Sequence, residues 1–260
     1  MLATQRFPSR TGTSATPLLI VHGLFGSGRN WGAIARSLSA DRDVVTLDQR
    51  NHGDSPWFPS HSYADMAGDL AAVIEAEGRA MDVLGHSMGG KAAMQLALTR
   101  PGLVNQLVVA DIAPVTYRHD NTRHIATMRA LDLSPPRTRA EIDRRLAVME
   151  PDPALRAFFL QSLDLRADPP RWRLNLDVLE AFMPQITGWP GTPGRFGGRT
   201  LFLSGTASNY VLPEHRPAIM AQFPRARFAR LPGAGHWLHA EAPRAFAETV
   251  EVFLAGGAAG

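Results

Sequence analysis

Residues Asp82 to Ala93 read Asp-Val-Leu-Gly-His-Ser-Met-Gly-Gly-Lys-Ala-Ala, and no other stretch limits the possible folds so tightly. A short apolar strand, Met81 to Leu84, runs straight into an Ala-rich helix, Met88 to Thr99, with Gly85-x-Ser87-x-Gly89 at the junction. So abrupt a reversal requires a strained backbone at Ser87 and lifts the hydroxyl clear of the sheet. Gly85 and Gly89 flank the bend, where a side chain would collide with the neighbouring strand or helix. Ser87 is therefore the candidate nucleophile.

The rest of the chain alternates strand and helix. Apolar runs at Pro17–Val21, Asp43–Asp48, Gln106–Ala110, Thr200–Ser204 and Arg225–Leu231 read as buried parallel strands. Trp31 to Leu38 has helical spacing, and Ser62-x-x-Asp65 has the form of a capping box before a helix with Met66, Leu70, Val73 and Ile74 on one face. Pro243 to Leu254 reads as a closing amphipathic helix and Ala255 to Gly260 as a frayed tail. This alternation predicts a doubly wound α/β fold with a mostly parallel sheet. It breaks between Val115 and Trp189, where helices are expected at Tyr117–Leu131, Arg139–Met149, Ala154–Leu163 and Leu176–Ile186 and no strand is evident. The reading is a core of residues 1–114 and 196–260 with an all-helical insert at 115–195; 260 residues suffice for both.

A serine hydroxyl needs a base within hydrogen-bond reach. Of nine histidines, His236 is best placed, in the glycine-rich loop Gly233-Ala234-Gly235-His236-Trp237 beyond the last strand. His86 flanks the serine but should point away from it. His22 should brace its loop, His52 sits in a turn, and His239 reads as a surface or packing residue. The base needs an acid. Asp111 stands directly at a strand end and is the candidate, with Glu214 as the fallback. The developing oxyanion needs N–H donors. Met88 and Leu24 are the candidates through their backbone amides, with Phe25 able to share the role of Leu24.

Other chemistries are disfavoured. The absence of cysteine removes disulfides, thiol catalysis and Cys-ligated metals. There is no His-Glu-x-x-His, Walker or Rossmann glycine pattern, and the pair His119…His124 on an Arg-rich helix reads as solvated, so no metal or cofactor is expected. Net charge is only +3 and the arginines are scattered among acids, so nucleic acid is not expected either. Met1 to Thr16 has no apolar core of a signal peptide, and no run is long enough to span a membrane, which makes a cytoplasmic location the expectation.

Five blocks carry a resemblance: His22-Gly23-Leu24-Phe25-Gly26-Ser27, Asp48 to Pro56, Gly85 to Lys91, Asp111-Ile112-Ala113-Pro114, and Gly233 to Glu241. In this order they make residues 17 to 254 similar to the α/β-hydrolase superfamily, in particular to the YbfF-like esterase group and related abhydrolase-domain proteins. The resemblance implies a mostly parallel eight-stranded sheet with a helical cap and cofactor-free hydrolysis of esters or thioesters. It also implies that Asp111, in the Asp-Ile-Ala-Pro block, is the acid. Asn51 stands where a glycine is more usual, in a loop read as structural. Phe25, Tyr117, Trp172, Trp189, Tyr210 and Trp237 are candidates for an acyl pocket, and Arg118, Arg123 and Arg129 for a clamp on a phosphate-bearing leaving group such as coenzyme A. The leading expectation is a serine carboxylesterase for short to medium acyl esters. Behind it stand an acyl-CoA thioesterase, a carbon–carbon bond hydrolase or perhydrolase, and a hydrolase fold used for ligand binding alone. Dehalogenase and epoxide hydrolase readings want Asp where Ser87 stands.

Overall fold

Strand β2 (Leu18–Val21) shows how the chain divides its core: Leu18 and Ile20 face one side of the sheet, Leu19 and Val21 the other, and all four are buried. A strand covered on both faces has no polar side, hence the unbroken apolar run. Strands β3 (Val44–Leu47) and β4 (Met81–His86) are likewise buried throughout, their polar Thr46, Asp82 and His86 included, while β5 (Val104–Ala110) exposes only Asn105. The computed structural model describes residues 1–12, 15–118, 121–135 and 138–256; His119 and the tail residues 257–260 lie outside them.

Seven strands form one sheet in the order β1-β3-β2-β4-β5-β8-β9, with β8 at Arg199–Gly205 and β9 at Ala226–Leu231. All pairs are parallel except β1 (Thr4–Phe7) with β3. Strand β1 gave no sequence signal because only Phe7 of its four residues is buried. The expected eighth strand is not there among the described residues. The free edge of β1 carries exposed Thr4, Gln5 and Arg6, with Arg6 ion-paired to Glu77, and a polar edge of this kind ends a sheet.

Helices α1 (Gly32–Leu38) and α11 (Pro243–Ala255) cover one face; α2 (Tyr63–Ala76) and α3 (Met88–Thr99) cover the other. The Ser62–Asp65 capping box opens α2 as expected. Helix α3 is buried from Met88 to Leu98, so it is apolar or small on nearly every side.

Between β5 and β8 the chain holds α4 (Thr122–Ala130), α5 (Arg139–Leu146), α6 (Pro153–Phe159), α7 (Leu176–Ala181) and α8 (Met183–Thr187). It is not all-helical: β6 (Leu163–Asp164) pairs antiparallel with β7 (Arg171–Trp172), a ladder too short to show a period. The helix expected at 176–186 is two helices, since Pro184 cannot continue a helix begun at Leu176. Helix α4 begins at Thr122 rather than Tyr117, whose N–H is taken by Thr187 O. Ile125, Met128, Ile142, Phe159 and Ile186 of this insert join the same apolar cluster as Leu19 and Met88 of the core. The two short helices that remain, α9 (Arg216–Gln222) and α10 (Leu238–Glu241), flank β9. No helix among the described residues is long and apolar enough to cross a membrane.

Candidate active site

Ser87 adopts φ 53° and ψ −121° at the start of α3. Sterics explain both flanking glycines. A Cβ on Gly85 would lie 2.3 Å from Gly89 O, and one on Gly89 would lie 2.4 Å from His22 O. A serine at a helix start ordinarily caps it through the hydroxyl. The Ser87 hydroxyl makes no such bond and faces a cavity of about 590 Å³, which His236 also borders.

His236 comes from the loop after β9. Its Nδ1 lies 2.8 Å from Asp111 Oδ2, across 125 residues of sequence. Asp111 is wholly buried, at φ 53°, and its carboxylate also accepts the Ser208 hydroxyl and, at 3.3 Å, the Gly205 N–H. An acceptor-only group opposite Nδ1 puts the proton there and leaves Nε2 for the cavity. Tyr210 stacks on the imidazole at 4.0 Å between ring centres, and His86 Nε2–H donates to His236 O at 2.8 Å. Glu241 accepts the N–H groups of Gly235 and Trp237, fixing the loop on both sides of the base. Glu214 sits in the exposed turn Pro213–His215 and is not the partner of His236. Ser208 and Glu241 had no sequence signal of their own: their roles exist only once β8 and β9 lie side by side.

The loop after β2 lies on the elbow. A Cβ on Gly23 would come within 3.2 Å of Ser87 Cβ and 3.0 Å of His86 Nδ1. Among the described residues the Leu24 N–H is not spent on a protein acceptor, while the Phe25 N–H donates to His52 Nε2 at 3.2 Å. Phe25 is therefore removed as an alternative donor. His22 does brace the loop: Nδ1–H donates to Gly23 O at 2.7 Å and Nε2 accepts the Gln49 N–H at 2.8 Å. Burial pushes His22 down to about 4 and His52 down to about 3. Asn51, at φ 65°, explains its place: asparagine and glycine tolerate the left-handed region best, and its amide also bonds Phe58 N and Ser60 O.

Phe25, Tyr117, Tyr210 and Trp237 line the cavity; Trp172 and Trp189 do not. Trp172 is buried with its indole N–H on Met128 O, and Trp189 packs behind the cavity wall against Tyr63. The wall also includes Leu155, Phe158, Phe159 and Ile186 from the insert, and Lys91. His124 is not solvated: it is buried beside Phe159 and borders the cavity. His239 is likewise a packing residue, stacked on Trp31 at 4.1 Å. Lys91, the sole lysine, donates to Thr187 O at 2.9 Å and to Gly188 O, and burial pushes it down to about 7. Of the three arginines expected as a clamp, Arg129 is held by Asp177 and Glu180, Arg118 does not line the cavity, and Arg123 borders it. No group of three or more metal-ligating side chains is placed to hold an ion among the described residues.

Known proteins share this arrangement of elements. The family model described as the alpha/beta hydrolase family matches residues 18–249. The chain is 40% identical over 254 residues to sn-1-specific diacylglycerol lipase ABHD11 of Mus musculus, covering 94% of this chain and 83% of that one. It is 38% identical over 243 residues to esterase YbfF of Escherichia coli, covering 92% and 93%. A solved structure described as a marine microorganism esterase superposes with a TM-score of 0.91 at 36% identity, covering 97% of this chain and 98% of that one. The chain belongs to the alpha/beta hydrolase family, in the group that holds esterase YbfF.

Proposed function

We propose that this chain is a serine carboxylesterase acting on short to medium acyl esters through an acyl-enzyme. The 2.8 Å pairing of buried Asp111 with His236, on the cavity into which Ser87 projects, carries the reading. Ser87 attacks the ester carbonyl as His236 Nε2 takes its proton, and Asp111 holds the imidazole and balances its charge. The tetrahedral oxygen is met by the N–H groups of Leu24 and Met88, the latter at the N-terminus of α3. His236 then returns the proton to the departing alkoxide, and water repeats the sequence on the acyl-enzyme.

Residues 115–195 act as a cap in this proposal. Phe158, Phe159 and Ile186 of the insert wall the cavity over the serine, so the insert sets which acyl groups fit. The substrate is a small-molecule ester with an apolar acyl part. A coenzyme A thioester is the second reading: of the expected clamp, Arg129 is already ion-paired and Arg118 does not line the cavity, which leaves Arg123 alone.

The test offers matched acyl groups, from acetyl to palmitoyl, as aryl esters and as coenzyme A thioesters, to wild type and to Ser87→Ala. Short aryl esters should have the higher kcat/KM, and Ser87→Ala should lose about 10⁶ in kcat. Activity within about tenfold of wild type would remove Ser87 as nucleophile. Preference for thioesters would replace the esterase reading.

A further inference from the structure

His52 is wholly buried, bears no charge partner, and takes no part in the chemistry set out above. Its ring has one possible arrangement of hydrogen. Nδ1 faces the carbonyl of Arg50 at 2.9 Å, so Nδ1 carries the proton; Nε2 faces the N–H of Phe25 at 3.2 Å, so Nε2 accepts. We propose that His52 is a positioning residue for the oxyanion hole, which holds the Leu24 peptide in register with Ser87 by accepting the Phe25 N–H. The inference rests on Leu24 as the donor in the proposed esterase reaction.

Three observations carry it. Phe25 has φ 63°, a region that a bulky residue leaves unless its surroundings over-determine it. Here they do: His52 takes its N–H, and Ser162 of the insert donates to its carbonyl at 2.8 Å. Second, the peptide units on both sides of Leu24 are fixed. The Gly23 carbonyl shares a plane with the Leu24 N–H and accepts from His22 Nδ1–H at 2.7 Å and Gly26 N–H at 3.1 Å. The next plane, Leu24 to Phe25, is held by His52. Bonds to the Gly23 carbonyl also polarise the Leu24 N–H and strengthen it as a donor. Third, the seat of His52 is rigid: Gly53 N–H donates to Arg173 O at 2.8 Å and Asn175 N–H to Asn51 O at 3.0 Å. Docking of the insert thus reaches the donor through His52. Burial keeps the ring neutral, as the role requires, since a charged ring would oppose an N–H to an N–H.

The experiment compares His52→Leu, which removes the acceptor, with His52→Gln, whose amide oxygen can occupy the Nε2 position. Each is measured on 4-nitrophenyl butyrate and for inhibition by an aliphatic trifluoromethyl ketone, whose adduct with a serine places an oxyanion. His52→Leu should lose about 10- to 100-fold in kcat with KM within about threefold, less than outright loss of a donor. The ketone should bind more weakly by the same factor, and His52→Gln should recover most of both losses. A His52→Leu enzyme with kcat near wild type, equal impairment of both variants, or unchanged ketone binding would overturn the assignment. Ring nitrogen NMR of the wild-type enzyme covers the case in which the leucine variant does not fold: a proton on Nε2 in place of Nδ1 overturns it without any substitution. Ser87→Ala is run alongside. Its loss of activity together with a normal His52→Leu overturns this inference alone, whereas retained activity in Ser87→Ala overturns the reaction on which it rests.

Discussion

His236 borders the cavity that Ser87 faces, His52 lies buried against the Phe25 N–H of the loop after β2, and their surroundings are opposites. The His236 side chain keeps 21% of its surface exposed and has a buried carboxylate on Nδ1 and open cavity at Nε2. His52 is sealed, faces no carboxylate, and spends both ring nitrogens on backbone groups. A ring that must gain and lose a proton needs a charge to balance the gain and a free face for the transfer. One that only fixes geometry is better kept dry, where charging it is costly. In the proposed reaction the same side chain is thus a proton carrier in the loop after β9 and a fixed acceptor against the loop after β2.

The comparison breaks most readily on the base side. After Ser87→Ala, the largest expected effect is that of Asp111→Asn. An amide at that position can turn its N–H₂ toward Nδ1 and select the wrong tautomer, and kcat should fall by about 10⁴ with the fold intact. Glu214→Gln should leave kcat unchanged. A reversed pair of results, read from steady-state rates and circular dichroism, would move the acid from β5 to the turn after β8.

On the buried side the expected effect is on stability and its pH dependence. In the unfolded chain His22 and His52 return to about 6.5, while folded they are held at about 4 and about 3. Below about pH 6.5 the unfolded chain therefore binds protons that the folded chain refuses, and stability falls as pH drops toward 4. Each ring contributes up to about 1.4 kcal/mol per pH unit in that window. Urea unfolding at pH 7, 6 and 5 should show the decline, and His52→Leu should flatten it by about one proton's share. An unchanged slope would mean that His52 already binds its proton in the folded state.

The smallest expected effect concerns how the insert is moored. Lys91→Met strips the donor from Thr187 O and Gly188 O at the end of α8 and should lower stability by about 1 to 3 kcal/mol. If the mooring shapes the cavity, KM should rise more for octanoyl than for acetyl esters, measured as a ratio in the same panel. A ratio equal to that of wild type would confine Lys91 to packing.

The elbow was legible because its constraints are local. The bend at Ser87, the two glycines and the strand and helix beside them occupy a dozen consecutive residues, and backbone sterics alone dictate their types. The insert was read less well. Its helices are short, at most nine residues, so two turns of periodicity had to stand for an element. That is why the spacing runs α7 and α8 together, why β6 and β7 show no period, and why Trp189 reads as lining a cavity that it only backs. Strand β1 was missed for a different reason, its polar exposed edge.

By itself, then, the sequence determined the alternation of strands and helices, the strained serine and the loops from which its partners come, because hydrophobic period and glycine sterics act between near neighbours. Tertiary structure decided which of two carboxylates meets His236, which of two loop amides is left unspent, and that His124 and Lys91 are buried rather than solvated. Those outcomes turn on contacts between segments 27 to 137 residues apart, such as Phe25 with His52 and with Ser162. Only the packed sheet brings such groups within the hydrogen-bond distance at which one donor or acceptor excludes another.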